Sequence, residues 1–198
     1  MADSRSVHYS GSLTDVGSIK VGHFSRTGNG YLTGTTVVLT GQGAVAGVDV
    51  RGGGPGTRET DVLRPENLVQ RVHGIVLTGG SAYGLGAAQG VMDELEEQHV
   101  GYPVGESPDW VVPIVPAAVI FDLGRGGNFN MRLDSSFGRR AAKRAHSHTD
   151  HMGTVGAGVG ARSGGLRGVE WHRVGRQASA THQRTQNRLI GKPPSERP

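Results

Sequence analysis

The sequence contains no cysteine, which removes disulfides, thiolate metal sites and a cysteine nucleophile together. Aromatic residues make up only 5% of the chain, so any core must be built from small and β-branched side chains. No stretch approaches the roughly 20 continuous apolar residues that a membrane-spanning helix needs. The opening residues, MADSRSVHYSGS, have neither the basic nor the apolar region of a secretory signal. These absences lead to the expectation of a soluble, cytoplasmic protein with no membrane partner. The nucleophiles left open by the composition are Ser, Thr, Lys and carboxylates. What the chain has in excess is glycine, 34 of 198 residues, which implies tight turns and close backbone contacts.

The formal net charge is +4, and its position matters more than its size. Residues 1–168 carry 15 basic and 15 acidic side chains, while residues 169–198 carry 6 basic and 2 acidic ones. The same cut divides the glycines, 32 before it and only Gly175 and Gly191 after it. Two compositions are therefore joined near Gly168: a neutral body at 1–168 and a polar, basic tail at 169–198 without apolar periodicity, expected to be disordered. Such a tail would give at best a nonspecific, salt-sensitive attraction to nucleic acid or an acidic partner. A binding module with a basic tail is thus an alternative reading, with nucleic acid not expected as a partner.

Within the body, short β-branched runs separated by Gly read as strands at 19–21, 35–39, 44–50, 72–78 and 111–121. Two segments read as helices. From Ser81, taken as an N-cap, the spacing of Tyr83, Ala87, Val91 and Leu95 is helical, with acids on the other face. A shorter, basic helix is expected over 135–145. Strands interleaved with helices imply a layered α/β domain.

Four motifs carry chemistry. VHGIVLTGGSAYGLGAAQG is a strand, a glycine turn and a helix start, a geometry that can aim backbone N–H groups at an anion or a developing oxyanion; it can equally be a turn that lets helix and sheet pack closely. Its letters match none of the nucleophile-elbow, phosphate-loop or dinucleotide patterns. DVRGGGPGTRETDVL sets Arg51 and Arg58 among Asp49, Glu59 and Asp61, either a structured loop at a cleft or contact or an internal ion-pair network. HSHTDH places His146, His148, Asp150 and His151 in an HxHxDH string that could hold two zinc ions and activate water. Against a metal-dependent hydrolase, a basic helical segment rather than an apolar strand precedes the string, and only His172 and His182 follow it. A polar surface loop is the favoured alternative, and no cofactor or metal is expected. MGTVGAGVGARSGGLRG alternates Gly with small residues, so its backbone must approach something very closely.

Taken in order, LTDVGSIKVGHFS, GTTVVL, GAVAGVDVRGGGPGTRETDVL, VHGIVLTGGSAYGLGAAQGVMDELEE, VPIVPAAVIFDLG and GTVGAGVGARSGGLRG resemble a family across about residues 12–168. It is the self-cleaving family of the bacterial L-aminopeptidase/D-esterase, the β-peptidyl aminopeptidases and the endo-type nylon-oligomer hydrolase. The resemblance implies an αββα sandwich of the ornithine-acetyltransferase-like superfamily, here incomplete, and a homo-oligomeric parent enzyme acting on peptides or amides. It also implies a precursor that cuts itself before a Ser or Thr in a GGxGTAS-like stretch. The freed residue is then an N-terminal nucleophile whose own amine can serve as base. A polar residue of the family's GNVGAG motif helps to hold the oxyanion; that position is Thr154 here, where the family has Asn.

The sequence departs from the family after SGGLRG, where the nucleophile and the second chain would follow. The nucleophile of the family pattern is absent, and Thr154, Ser81 and Tyr83 remain as weak catalytic candidates. The reading is therefore an aminopeptidase-type alpha-chain domain at 1–168 with an out-of-frame tail at 169–198, inactive by itself. Removing one base from the Val169 codon lets the next frame read Gly, Ser or Asn, Gly, Thr or Ile, and then allows Ala and Ser, which reproduces the missing motif within codon degeneracy. Nucleotide sequencing across codons 165–175 is expected to show such a frame encoding GTAS or GTSS and continuing through glycine-rich, strand-rich sequence. A stop within a few codons, or Ile in place of the nucleophile, would overturn the frameshift.

Overall fold

The structure, a computed structural model, describes residues 11–148, 151–163 and 172–173. Strands β1 (Lys20–Gly28) and β2 (Tyr31–Ala44) form an antiparallel hairpin. It closes at Asn29 and Gly30, whose φ angles of 49° and 86° suit the tight turn that Asn-Gly favours. The chain continues through β3 (Thr57–Arg58), β4 (Val72–Thr78), helix α1 (Ala87–Glu96), β5 (Tyr102–Pro103), β6 (Val111–Val112), β7 (Ala117–Val119) and α2 (Ser135–Lys143). The main sheet runs β1-β2-β4-β7-β3. Within it β4 and β7 are parallel and the other described neighbours are antiparallel. β5 pairs with β6, and β8 (Arg162–Ser163) pairs with β9 (His172–Arg173). The domain is mixed α/β.

Register assigns the two faces of the sheet. Phe24, Val37, Leu39, Val76 and Ala117 share one face and form the core with Val91 and Leu95 of α1 and Phe137, Ala141 and Ala142 of α2. Phe24 and Phe137 meet edge to face, 4.9 Å between ring centres, a contact worth about 1 kcal/mol beyond its area. The opposite face carries Val38, Ile75, Leu77 and Ala118. The turn at Gly156–Gly158 covers its β1–β2 end, while Leu77 is 45% exposed.

Glycine sets how closely the helices approach. A Cβ on Gly90 of α1 would overlap the Ser135 carbonyl oxygen, and one on Gly138 of α2 would overlap the Ala87 carbonyl oxygen. The two helices thus rest backbone on backbone, with a reciprocal glycine at each contact. Glu94, buried at this crossing, lies 3.4 Å from Arg139 Nε and 3.5 Å from Lys143 Nζ. Gly22 of β1 meets the Ala141 carbonyl in the same manner, which seats α2 on the sheet.

Three sequence expectations change. The 44–50 segment is no strand beyond Ala44, where β2 ends after a register irregularity, and Val45 is 77% exposed. The 111–121 run breaks into β6 and β7 because Pro113 and Pro116 lie between them and donate no ladder hydrogen bond. Ser81 is not an N-cap: it has φ 51° and starts a 3-10 turn, Ser81–Gly86, with α1 beginning only at Ala87. Segment 72–78 is a strand as expected, and α2 falls inside the expected 135–145, capped by Asp134 through the Ser136 N–H.

Alanine in place of glycine ordinarily stabilises a helix interior by about 1 kcal/mol. Gly90→Ala and Gly138→Ala are expected to do the reverse, each costing about 2 kcal/mol because the packed helices must separate. In urea titrations the double variant should lose less than the sum of the two, since one separation relieves both overlaps.

Candidate functional site

The glycine turn after β4 lies at the C-terminal end of the parallel pair β4 and β7. Gly80 and Ser81 both have positive φ, 80° and 51°, which turns the chain sharply into the 3-10 segment. The Gly79 N–H donates to the Gly34 carbonyl at 2.9 Å, the Gly80 N–H to Asp122 Oδ1 at 2.6 Å and the Ser81 N–H to the Ile120 carbonyl at 2.9 Å. All three donors are consumed within the fold. The expectation that this turn aims its N–H groups at an anion therefore fails for residues 79–81, which serve close packing instead.

Asp122 organises this region, and sequence reasoning missed it. It is 3% exposed. Its Oδ2 and the Thr33 hydroxyl both lie where a Cβ on Gly79 would sit, and neither completes a hydrogen bond of good geometry. Burial pushes the Asp122 carboxyl above the ordinary carboxylate range, against the opposing influence of the nearby Thr33 hydroxyl, the Gly80 N–H and the Arg125 charge. Arg125 also donates to the Gly160 carbonyl, and Gly160 lies against both Asp122 and the Leu32 carbonyl. One carboxylate and one guanidinium thus join the FDLG loop, the GGSAYG turn and the end of VGAGVGA. The available signal was an acid closing the apolar run VPIVPAAVIFD.

The weak catalytic candidates are placed as follows. Ser81 is half-buried on the turn, Tyr83 is 54% exposed two residues later, and Thr154 is exposed before the Gly156–Gly158 turn. Among the described residues no hydrogen bond links any of the three to another or to a histidine, so no nucleophile and base pair is assembled. The Arg132 guanidinium stacks 3.8 Å over the Tyr83 ring. The Gly156–Gly158 turn is fastened to the hairpin: the Ala157 N–H donates to Thr36 Oγ1 at 3.1 Å, and Thr36 Oγ1 is 3.0 Å from His23 Nδ1.

His146 pairs its backbone with Val21 at the sheet edge. Together with His151, His23, Arg144, Val21 and Gly22 it lines an open cavity of about 370 Å³. Burial, then the charges of His151 and His146, lower the His23 pKa. His148 is exposed, and Asp150 lies outside the described residues. Among the described residues no group of three or more His, Asp or Glu has a metal-holding arrangement. The 169–198 tail lies outside the described residues except for 172–173.

The chain aligns with the L-aminopeptidase D-Ala-esterase/amidase of Ochrobactrum anthropi, described as a variant of the Ntn hydrolase fold, with a TM-score of 0.54 and 17% identity over 75% of this chain and 43% of the other. This likeness shows the fold. By sequence, the chain is 50% identical over 170 residues to an uncharacterised aminopeptidase of Mycobacterium leprae, covering 79% of this chain and 46% of the relative. It is 33% identical over 142 residues to the 6-aminohexanoate-oligomer endohydrolase of Paenarthrobacter ureafaciens, covering 72% and 36%. The model of Peptidase family S58 matches residues 11–169, and the chain belongs to that family. It spans about half the length, or less, of the curated relatives it matches.

The raised Asp122 pKa has a definite sign for stability. A folded pKa above the unfolded one gives stability that is complete below the unfolded value and is lost as pH rises through the folded one. Asp122→Asn keeps an acceptor for the Gly80 N–H and removes the ionisation. Across about pH 4 to 7, the melting temperature of the unaltered protein should fall relative to that of the variant. Parallel pH curves would contradict the burial of an ionisable Asp122.

Proposed function

We propose that the whole protein is an aminopeptidase-type amide hydrolase with an N-terminal nucleophile, and that residues 1–168 supply its amino-terminal portion. The observation that carries this reading is the family match across residues 11–169, which ends where the expected cleavage motif would begin. In this reading the precursor, translated in the restored frame, cuts its backbone before a Ser or Thr shortly after Gly168. The freed hydroxyl then attacks a substrate amide, with the residue's own amine as base. Peptides or amides with an accessible amino end are the substrates, and no cofactor takes part.

Two structural features support it. No nucleophile and base pair is assembled among the described residues, so the chemistry calls for residues beyond this portion. Among the described residues, the sheet face carrying Val38, Ile75 and Leu77 is covered at its β1–β2 end, and Leu77 is 45% exposed. A second sheet from the downstream half would cover that face, completing an αββα sandwich and excluding water from the site. The parent would assemble as a homo-oligomer of processed chains in the cytoplasm, and residues 169–198 of this chain would be an out-of-frame tail in place of its second half.

The test compares two proteins. The purified 198-residue chain is expected to show no turnover of amino-acid p-nitroanilides. The product translated after deleting one base in the Val169 codon should cut itself into two chains and gain that turnover, which replacing the new N-terminal Ser or Thr by Ala abolishes. A frame-restored protein that neither cuts itself nor hydrolyses amides would overturn the proposal.

A further inference from the structure

Arg132 is the cation whose placement the fold explains least. Its guanidinium carbon sits 3.8 Å from the centre of the Tyr83 ring and 5.9 Å from that of Phe129. Both rings are open to solvent, 54% and 52% exposed. Among the described residues no carboxylate pairs with Arg132. The nearest acid in sequence, Asp134, spends Oδ1 on the Ser136 N–H that caps α2. The backbone at Arg132 is nevertheless held firmly. Its N–H donates to the Asn130 carbonyl at 3.1 Å, and the next residue, Leu133, is 3% exposed and packs against Gly80.

A guanidinium stacked face-on against an aromatic ring keeps its in-plane N–H donors at the edge, where a carboxylate can engage two at once. The stacking also restrains the side chain before any ligand arrives, so less freedom is lost on binding. Arg125, earlier in the chain, is by contrast engaged with Gly160 and Asp122, and Asp122 is buried rather than facing solvent. The exposed faces of Tyr83 and Phe129 offer apolar walls for a short aliphatic chain beside the charge.

We propose that Arg132, stacked on Tyr83 at the glycine turn, is a specificity-determining residue that binds the free carboxylate of a short peptide or amide oligomer. The site would select small free-acid substrates over capped peptides or the interior of long chains. This inference rests on the amide-hydrolase reading for its substrate class, while its test needs no turnover.

Alanyl-alanine and alanyl-alanine amide are titrated separately into the purified chain, and NMR follows the arginine Nε–H and tyrosine ring signals. The free acid should shift the Arg132 and Tyr83 signals saturably and bind at least about tenfold more tightly than the amide, the size of one charge-assisted contact. Arg132→Gln should reduce acid binding to the level of the amide and leave the amide unchanged, whereas Arg132→Lys, which keeps the charge without the planar fork, should fall between. Equal affinities for acid and amide in the unaltered chain, absence of saturation by the acid, or undiminished acid binding by Arg132→Gln would each overturn the proposal. The contrast in the unaltered chain requires no variant to fold. Failure of the hydrolase reading shows separately, as a frame-restored protein that neither cuts itself nor turns over substrate.

Discussion

A carbonyl oxygen resting where a side chain would otherwise begin is the contact on which this fold depends. It recurs between α1 and α2 at Gly90 and Gly138, between α2 and the sheet at Gly22, and between the hairpin and the 156–158 turn at Gly34. In each case the approach is closer than any Cβ permits, and the gain is dispersion contact between backbones in a core with few large side chains. The abundance of glycine and the scarcity of aromatics are two views of one design. Small residues at the crossings let thin layers pack, and thin layers need no large side chains to fill them. Fully buried Val37, Val76, Val91 and Val115 occupy the remaining space.

The same constraint delivers the candidate site. Because Gly34 and Gly156 touch, the VGAG segment is held against His23 and Thr36 rather than hanging from the sheet. Because Gly79 and Gly160 lack side chains, there is room between them for the Asp122 carboxylate. Desolvation opposes its charge, while the Gly80 N–H, the Thr33 hydroxyl and Arg125 favour it, and burial dominates. Its structural return is the fastening of three loops that are distant in sequence. A side chain at Gly79 or Gly160 would therefore displace the carboxylate.

The elements most legible in sequence were those whose signal is local. The run at 72–78 has β-branched residues with a glycine turn after it, and it is a strand over that whole span. The 135–145 segment is held by a cap at Asp134 and an apolar stripe of Phe137, Ala141 and Ala142. Where a partner decides, pattern alone misleads. VAGVDV is β-branched like a strand yet pairs with no strand among the described residues, and the 111–121 run is apolar yet interrupted by two prolines. The family was legible because many ordered motifs jointly constrain it. Asp122, Thr33 and Arg125 were not, since a buried carboxylate is defined by what folds over it, and that includes residues 33, 79 and 160 together.

Under the proposed function, oxyanion stabilisation needs donors beyond the glycine turn. Preorganised donors must be free of other partners at the moment charge develops. The N–H groups of Gly79, Gly80 and Ser81 already serve Gly34, Asp122 and Ile120, so diverting them would unfasten the turn that positions Tyr83. Thr154 offers a hydroxyl that can rotate, a donor less fixed in direction than a backbone N–H. Tyr83 is 54% exposed, with the Arg132 guanidinium 3.8 Å over its ring. The turn's own N–H groups are thus committed to the fold, and donors for a developing charge have to come from elsewhere in the whole protein.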